Sequence, residues 1–442
     1  MKKLLSVLLA VAMFAALLSF GASAQDNKVD QTPRTTVYVS NAGDDSTAEA
    51  GNKEKPFKDF LTAYGKLAET GGTVVLLDDV EVDLSAENIP ELASAHRYIL
   101  PASDKTIRVC GTYDESAQKY SALVFNGTVG LCIELQGNVA FYDMTFRMNY
   151  AKNFFISANG YSLTIGFHTK AEVASGSTAK IIGGAQDVRA GLSMNPSTEK
   201  STVNIYSGNW DEVYGGPFDG NDRAKATILH PIDVNIFDGT YGNVLARRNN
   251  KKSIAAMQKD VTINLYGGTF SKVKNFGSYN SYLNYLEGVD LSSVEVSGFT
   301  SNAELKKSDT QIPAPDYAVN YCGVQSTDIA DGKYSLRFVG TVDSLNFSAV
   351  GFEIIARTTE NPDGTDYSKS CSTVYTTINA GTYRKYTAAE LGGNYIYALA
   401  IKNIPVAAGT VSFEITPFVA VGETVYYGTS YTVTCDSGAS IS

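Results

Sequence analysis

Two groups of charged residues lie close enough in the chain to suggest chemistry. Asp211 and Glu212 follow the segment "VNIYSGNW", and Asp219, Asp222 and Arg223 come just after it in "PFDGNDRAK". A second stretch, "ARRNNKKS" at 246–253, gathers Arg247, Arg248, Lys251 and Lys252. Two carboxylates held across a glycosidic bond can hydrolyse it, one as acid and the other as base or nucleophile. A basic group can instead remove a proton beside a carboxylate that a cation neutralises, which is elimination. Ordinary charged turns have the same composition, so the elements that carry these residues decide how they read.

Those elements repeat. "VNIYSGNWDEV" (203–213) returns as "VNIFDGTYGNV" (234–244) and "INLYGGTFSKV" (263–273), and Gly208, Gly239, Gly268 and Gly298 are spaced 31, 29 and 30 residues apart. Self-similarity at this period marks stacked units, each burying its face on the next. Apolar alternation between turn residues marks strands rather than helices. A propeller needs about four strand signals per blade, which are not visible, so a parallel β-helix fits best. "VAFYDMTF" (139–146) has the same shape with Met144 at the glycine position. At the N-terminal end, Phe57, Phe60, Leu61, Tyr64, Leu67 and Ala68 fall on one face of a helix expected over 55–70, a cap for the first coil.

The repeat also predicts columns. Asn204, Asn235 and Asn264 align, as do Tyr206, Phe237 and Tyr266, and Trp210, Tyr241 and Phe270. With Val203 and Ile205 inward, Asn204 and Tyr206 face outward, and amides beside aromatic faces suit neutral sugars. Those six outward residues are the candidate binding set. The Trp210 column reads as internal packing. The Tyr206 column reads equally as a sugar-facing strip or an internal stack. If the protein is an enzyme, Asp211, Glu212, Asp219, Asp222, Arg223 and Arg247 are the candidate catalytic groups.

The chain has 442 residues and a net charge of −10. Lys2 and Lys3, the apolar run Leu4–Phe20 and "ASA" at 22–24 read as a secretory signal peptide over 1–24, whose removal takes the charge to −12. An acidic, exported chain is not expected to bind nucleic acid or insert in a membrane. A monomer is expected. Five cysteines and three histidines make no metal-ligand spacing. No cofactor is required, although the acid-rich loops 41–46 and 360–368 carry the oxygens that Ca²⁺ takes. Cys110 and Cys132, 22 residues apart, would bridge if they stack on neighbouring coils.

After a linker at 307–320 the texture changes to short alternating strands over 321–437, such as "KYSLRFVGTV" and "TVSFEITPFVAV", as expected of an antiparallel β-sandwich. "VYVSNAGDDS…KEKPFKDFLTAY" (37–64) resembles the leader of secreted bacterial right-handed β-helix proteins of the pectate-lyase-like type, and the "GGTF…V" repeats look like coils of bacterial surface β-helix proteins. "YTAAELGGNYIYALAIKNIP" (386–405) resembles an accessory module at the C-termini of secreted clostridial proteins. These resemblances imply an all-β chain: a right-handed parallel β-helix over 25–306, then the sandwich. They imply engagement of extracellular polysaccharide, by a binding or adhesin-type protein or, alternatively, by a lyase or hydrolase. The paired-Asp and His motifs of polygalacturonases and the signatures of pectate lyases are missing, which moves the expectation away from a standard pectinase.

Overall fold

The structure is a computed structural model. It describes residues 35–84, 95–114, 116–166, 168–184, 199–218, 230–248, 259–276, 280–306, 319–326, 331–342, 349–358, 371–375, 395–406, 409–421, 424–428, 430–436 and 440–441. The signal-peptide reading, most of the linker, Asp219, Asp222, Arg223, Lys251, Lys252 and the loop 360–368 fall outside these residues. The chain divides into two compact units, 34–311 and, apart from the N-terminal segment, 312–442.

Among the described residues, unit 34–311 holds three parallel sheets of ten, eight and four strands and one two-stranded antiparallel pair, Tyr113–Asp114 with Lys119–Tyr120. In the ten-stranded sheet one register column runs Val139, Leu163, Val203, Val234, Ile263, Leu283. The alternation read from the sequence is the cause: Val203 and Ile205 are fully buried, whereas Thr202 and Asn204 lie on the other face. The inward residues of all three sheets share one apolar cluster, including Phe141, Phe146 and Phe154.

What the chain does after each strand of the large sheet depends on one turn. Gly208, Gly239 and Gly268 have φ of 103°, 116° and 95°, in the left-handed range that other residues rarely adopt, and they lead straight into strands of the eight-stranded sheet. At Gly239 a Cβ would also sit 2.6 Å from the Gly208 carbonyl oxygen. In the copy lacking glycine, Asp143 takes the left-handed turn with φ of 51°, and the next strand, Thr145–Met148, enters the four-stranded sheet instead. That small sheet ends at Glu172.

The expected helix is shorter than its apolar face: it spans Phe60–Gly65, with turns continuing to Thr70. Asp59 caps it by accepting from the Thr62 amide at 2.7 Å. Phe60, Tyr64 and Leu67 enter the core, and the Phe60 ring lies 6.3 Å from Tyr98 in the first strand of the eight-stranded sheet. Among the described residues no helix is long and apolar enough to cross a membrane.

The proposed bridge between Cys110 and Cys132 does not form. Cys110 stands in the ten-stranded sheet beside Tyr142, and Cys132 in the eight-stranded sheet beside Phe155. A gap of 22 residues crosses from one sheet to another here rather than returning to the same one.

The C-terminal unit consists of antiparallel sheets. Lys333–Val342 pairs with Val319–Ser326 and Tyr395–Pro405, while Ala349–Thr358 pairs with Cys371–Tyr375 and Thr410–Val421. Ring contacts join the two sheets: Phe338 with Phe352 and Phe413, and Phe352 with Tyr397.

Candidate functional site

The asparagine column is a continuous hydrogen-bonded ladder. Asn284 Nδ2 donates to Asn264 Oδ1, Asn264 Nδ2 to Asn235 Oδ1, and Asn235 Nδ2 to Asn204 Oδ1, each at 2.8 Å. Asn235 is 3% exposed and Asn264 8%. These amides are engaged with one another along the stack.

The aromatic column beside it is also self-engaged. Tyr206 and Phe237 stack at 4.1 Å with planes 1° apart, and Phe237 and Tyr266 at 5.0 Å and 15°. Phe237 therefore has neighbours over both faces, and Tyr206 is 2% exposed. A sugar stacks on a ring face, and the faces between these rings are taken. Trp210, Tyr241 and Phe270 lie in the core as expected.

Asp211 and Glu212 are adjacent in sequence but do different work. Asp211 is exposed and accepts from the Ala179 amide at 2.7 Å. Glu212 stands in an outward column with Lys180 and Asn243, pairs with Lys180, and accepts from the Tyr214 hydroxyl at 2.6 Å. Burial pushes the Glu212 carboxyl up, but the Lys180 ammonium and the Tyr214 hydroxyl outweigh it, so its pKa ends below the usual value. A carboxylate held ionised in this way suits an ion pair and not a general acid. Arg247 is 1% exposed. Its guanidinium braces the starts of two neighbouring strands, donating to the Lys259 carbonyl at 2.7 Å, the Asn280 carbonyl at 3.3 Å and Ser281 Oγ.

The acids of loop 41–46 are likewise engaged. Asp44 Oδ1 accepts from the Ser46 amide and hydroxyl at 2.9 and 2.7 Å, and Asp45 Oδ1 accepts from the amides of Lys58 and Asp59 at 2.9 and 3.0 Å. These bonds account for the loop without an ion. Among the described residues no cluster of three metal-ligating side chains occurs.

A cleft of about 790 Å³ lies elsewhere, on turns that the repeat pattern did not single out. It is lined by Ala68–Glu69, Ala102–Asp104, Gln136 and Asn138, Tyr161–Ser162, and Glu199–Ser201. Each of these segments precedes a strand of the ten-stranded sheet, and those five strands are consecutive neighbours. Parallel strands lie about 4.8 Å apart, so the five turns span roughly 19 Å with one set of side chains per step.

Side chains fix one turn to the next. Asn138 Oδ1 accepts from the Ser162 amide at 2.9 Å, and Ser162 Oγ from the Thr202 amide at 3.1 Å. Ser103 Oγ donates to the Ala68 carbonyl at 2.8 Å. Buried His230 places Nε2 2.9 Å from the Gly160 carbonyl and 3.2 Å from Ser201 Oγ. The result is a braced groove offering hydroxyls, amides, one half-buried tyrosine and carboxylates. Burial raises the Tyr161 pKa, so its hydroxyl stays protonated and able to donate.

One further constellation carries chemistry. Asp143, its side chain 3% exposed, holds His168 Nδ1 at 3.0 Å, while the imidazole itself is 53% exposed. Tyr120 stacks on that imidazole at 5.3 Å and 15°. Asp143 and His168 both have left-handed backbone, with φ of 51° and 50°. A carboxylate on Nδ1 fixes the tautomer and leaves Nε2 to accept a proton. Nothing in the sequence marks this pair, because the two residues, 25 apart, carry no recognisable motif. Compared with protein-family models, curated proteins and solved structures, the chain matches none of them.

Proposed function

We propose that this chain is an exported protein, built as a right-handed parallel β-helix followed by a β-sandwich accessory module, that binds extracellular polysaccharide without cleaving it. The observation that carries the reading is the braced groove crossing five successive turns. Its backbone repeats at the strand spacing while its side chains differ from turn to turn, which fits an extended chain laid across the turns, and the groove presents a tyrosine, amides and hydroxyls in the mixture that sugar rings and hydroxyl groups use. The stacked Tyr206 column supports the fold rather than the ligand in this reading, because its ring faces are covered.

Affinity electrophoresis of the full chain through soluble glycans tests it. Retention by at least one glycan, weakened about tenfold by Tyr161→Ala with unchanged circular dichroism, is expected. Absence of retention, or retention indifferent to Tyr161→Ala and Gln136→Ala alike, would refute it.

A second reading, a lyase or hydrolase, has one observation in its favour: the half-exposed imidazole of His168 held by buried Asp143. Sugar release abolished by His168→Ala would establish that reading in place of the first.

A further inference from the structure

We infer that the groove is a straight track for one extended chain of equatorially (1→4)-linked sugars, and that helical or kinked glycans do not fit it. This rests on the glycan-binding reading above and names its substrate class. Gly72, Ile107, Val139, Leu163 and Val203 stand in one register column of the ten-stranded sheet. Every lining residue falls one to five positions ahead of that column: Glu69 three before Gly72, Asp104 three before Ile107, Gln136 three before Val139, Tyr161 two before Leu163 and Ser201 two before Val203. The turns therefore do not drift sideways, and the groove crosses the strands in a line. Backbone contacts hold the step between turns. The Ser103 amide donates to the Gln136 carbonyl at 3.2 Å, and the Val139 amide to the Ser162 carbonyl at 3.1 Å. A Cβ at Gly137 would sit 2.5 Å from the Ser103 oxygen, so these two turns are packed backbone to backbone.

The middle of the track also has polar groups to spare. The oxygens of Asn138 and Ser162 are engaged in bracing neighbouring turns. The Gln136 carboxamide, Asn138 Nδ2 and the Tyr161 hydroxyl have no protein partner among the described residues, and they stand on adjacent turns. Sugar hydroxyls can occupy them. A chain of equatorially (1→4)-linked sugars is a straight ribbon that advances by close to one strand spacing per sugar, so each sugar stays over its own turn. A helical α-(1→4) chain or a (1→6) chain leaves the line within a few sugars, and turns locked to one another by backbone bonds cannot follow it. Four steps of about 4.8 Å hold about four sugars, and a sugar beyond them lies past the last turn.

The test holds charge constant, with neutral glycans throughout, and varies chain shape and length. Retention of the full chain is measured in hydroxyethyl-cellulose, glucomannan and arabinoxylan, and separately in soluble starch, pullulan and dextran. Retention by at least one of the extended chains, at least about tenfold stronger than by any of the helical or kinked ones, is expected. Oligosaccharides of the retained backbone, from disaccharide to hexasaccharide, should then bind more tightly up to the tetrasaccharide and level off beyond it, with Tyr161→Ala weakening the tetrasaccharide. Starch, pullulan or dextran retained as strongly as the extended chains, and released by Tyr161→Ala, would overturn the straight track and leave glycan binding standing. Affinity already level at the disaccharide, or still climbing at the hexasaccharide, would overturn the track in the same way. Retention by none of these glycans would overturn both readings, so the two failures are distinguishable.

Discussion

Removing Asn235 should cost far more than its polar, outward-facing position suggests. It donates to Asn204 and accepts from Asn264, both at 2.8 Å, and is 3% exposed. Asn235→Ala deletes two hydrogen bonds of about 1 kcal/mol net each and leaves the Asn204 oxygen and the Asn264 amide to find other partners, for a total near 3 kcal/mol. At about 2 °C per kcal/mol for a unit of this size, the melting midpoint should fall by about 6 °C. Asn284, at the end of the ladder, donates one ladder bond, so Asn284→Ala should cost about half as much. Thr262→Ala, outward on a neighbouring strand position, should fall within about 0.5 kcal/mol. Trp210 is the chain's single tryptophan and lies buried in this unit, so its emission follows this unit's melting alone. If Asn235→Ala melted with Thr262→Ala, or no lower than Asn284→Ala, the ladder would not be a stabilising element.

Two other perturbations follow from the geometry. Gly239→Ala combines φ of 116° with a Cβ only 2.6 Å from the Gly208 oxygen, and should cost about 3 kcal/mol in the same melt; Gly176→Ala, at φ of 84° with nothing within 4 Å, should cost about 1 kcal/mol. The Glu212 carboxyl has a folded pKa depressed below its ordinary value of 4.5, so its contribution to stability is present above that pH and is lost as pH falls through the depressed value. Glu212→Gln should therefore lower stability at pH 7 and flatten the acid limb of a stability profile below about pH 4.5, and a parallel acid limb in the variant would contradict the pairing with Lys180.

Much of the large unit was legible because its causes are local. Gly208, Gly239 and Gly268 mark left-handed turns that few other residues tolerate, and the alternation around Val203 and Ile205 fixes which face is buried. Aligning these landmarks put Asn204 opposite Asn235 and Asn264, as the register has them. Alternation gave outwardness but not accessibility: Tyr206 does leave the central core, yet the rings on neighbouring strands close over one another. The cysteine spacing misled for a different reason. Where a repeat includes the four-stranded sheet, residue count does not identify the sheet, and Cys110 returns beside Tyr142 rather than Cys132. The groove was not legible because its turns share no residue pattern. Ser103, Gln136, Asn138 and Tyr161 come together only through the stacking of strands that follow them. The sequence shows Met144 where the later copies have glycine, but not that the left-handed turn falls one residue earlier, at Asp143, where the chain switches sheet and the His168 pair forms.

The central claim, that the groove is where glycan binds, is tested most directly by hydrogen–deuterium exchange of the full chain with and without a saturating soluble glycan that retains it in electrophoresis. Protection concentrated at 102–104, 136–138 and 161–162, with little change at the stacked residues Tyr206, Phe237 and Tyr266, is the predicted result. Protection centred on the Tyr206 column, around His168 or in the C-terminal unit would contradict it and move the binding site there.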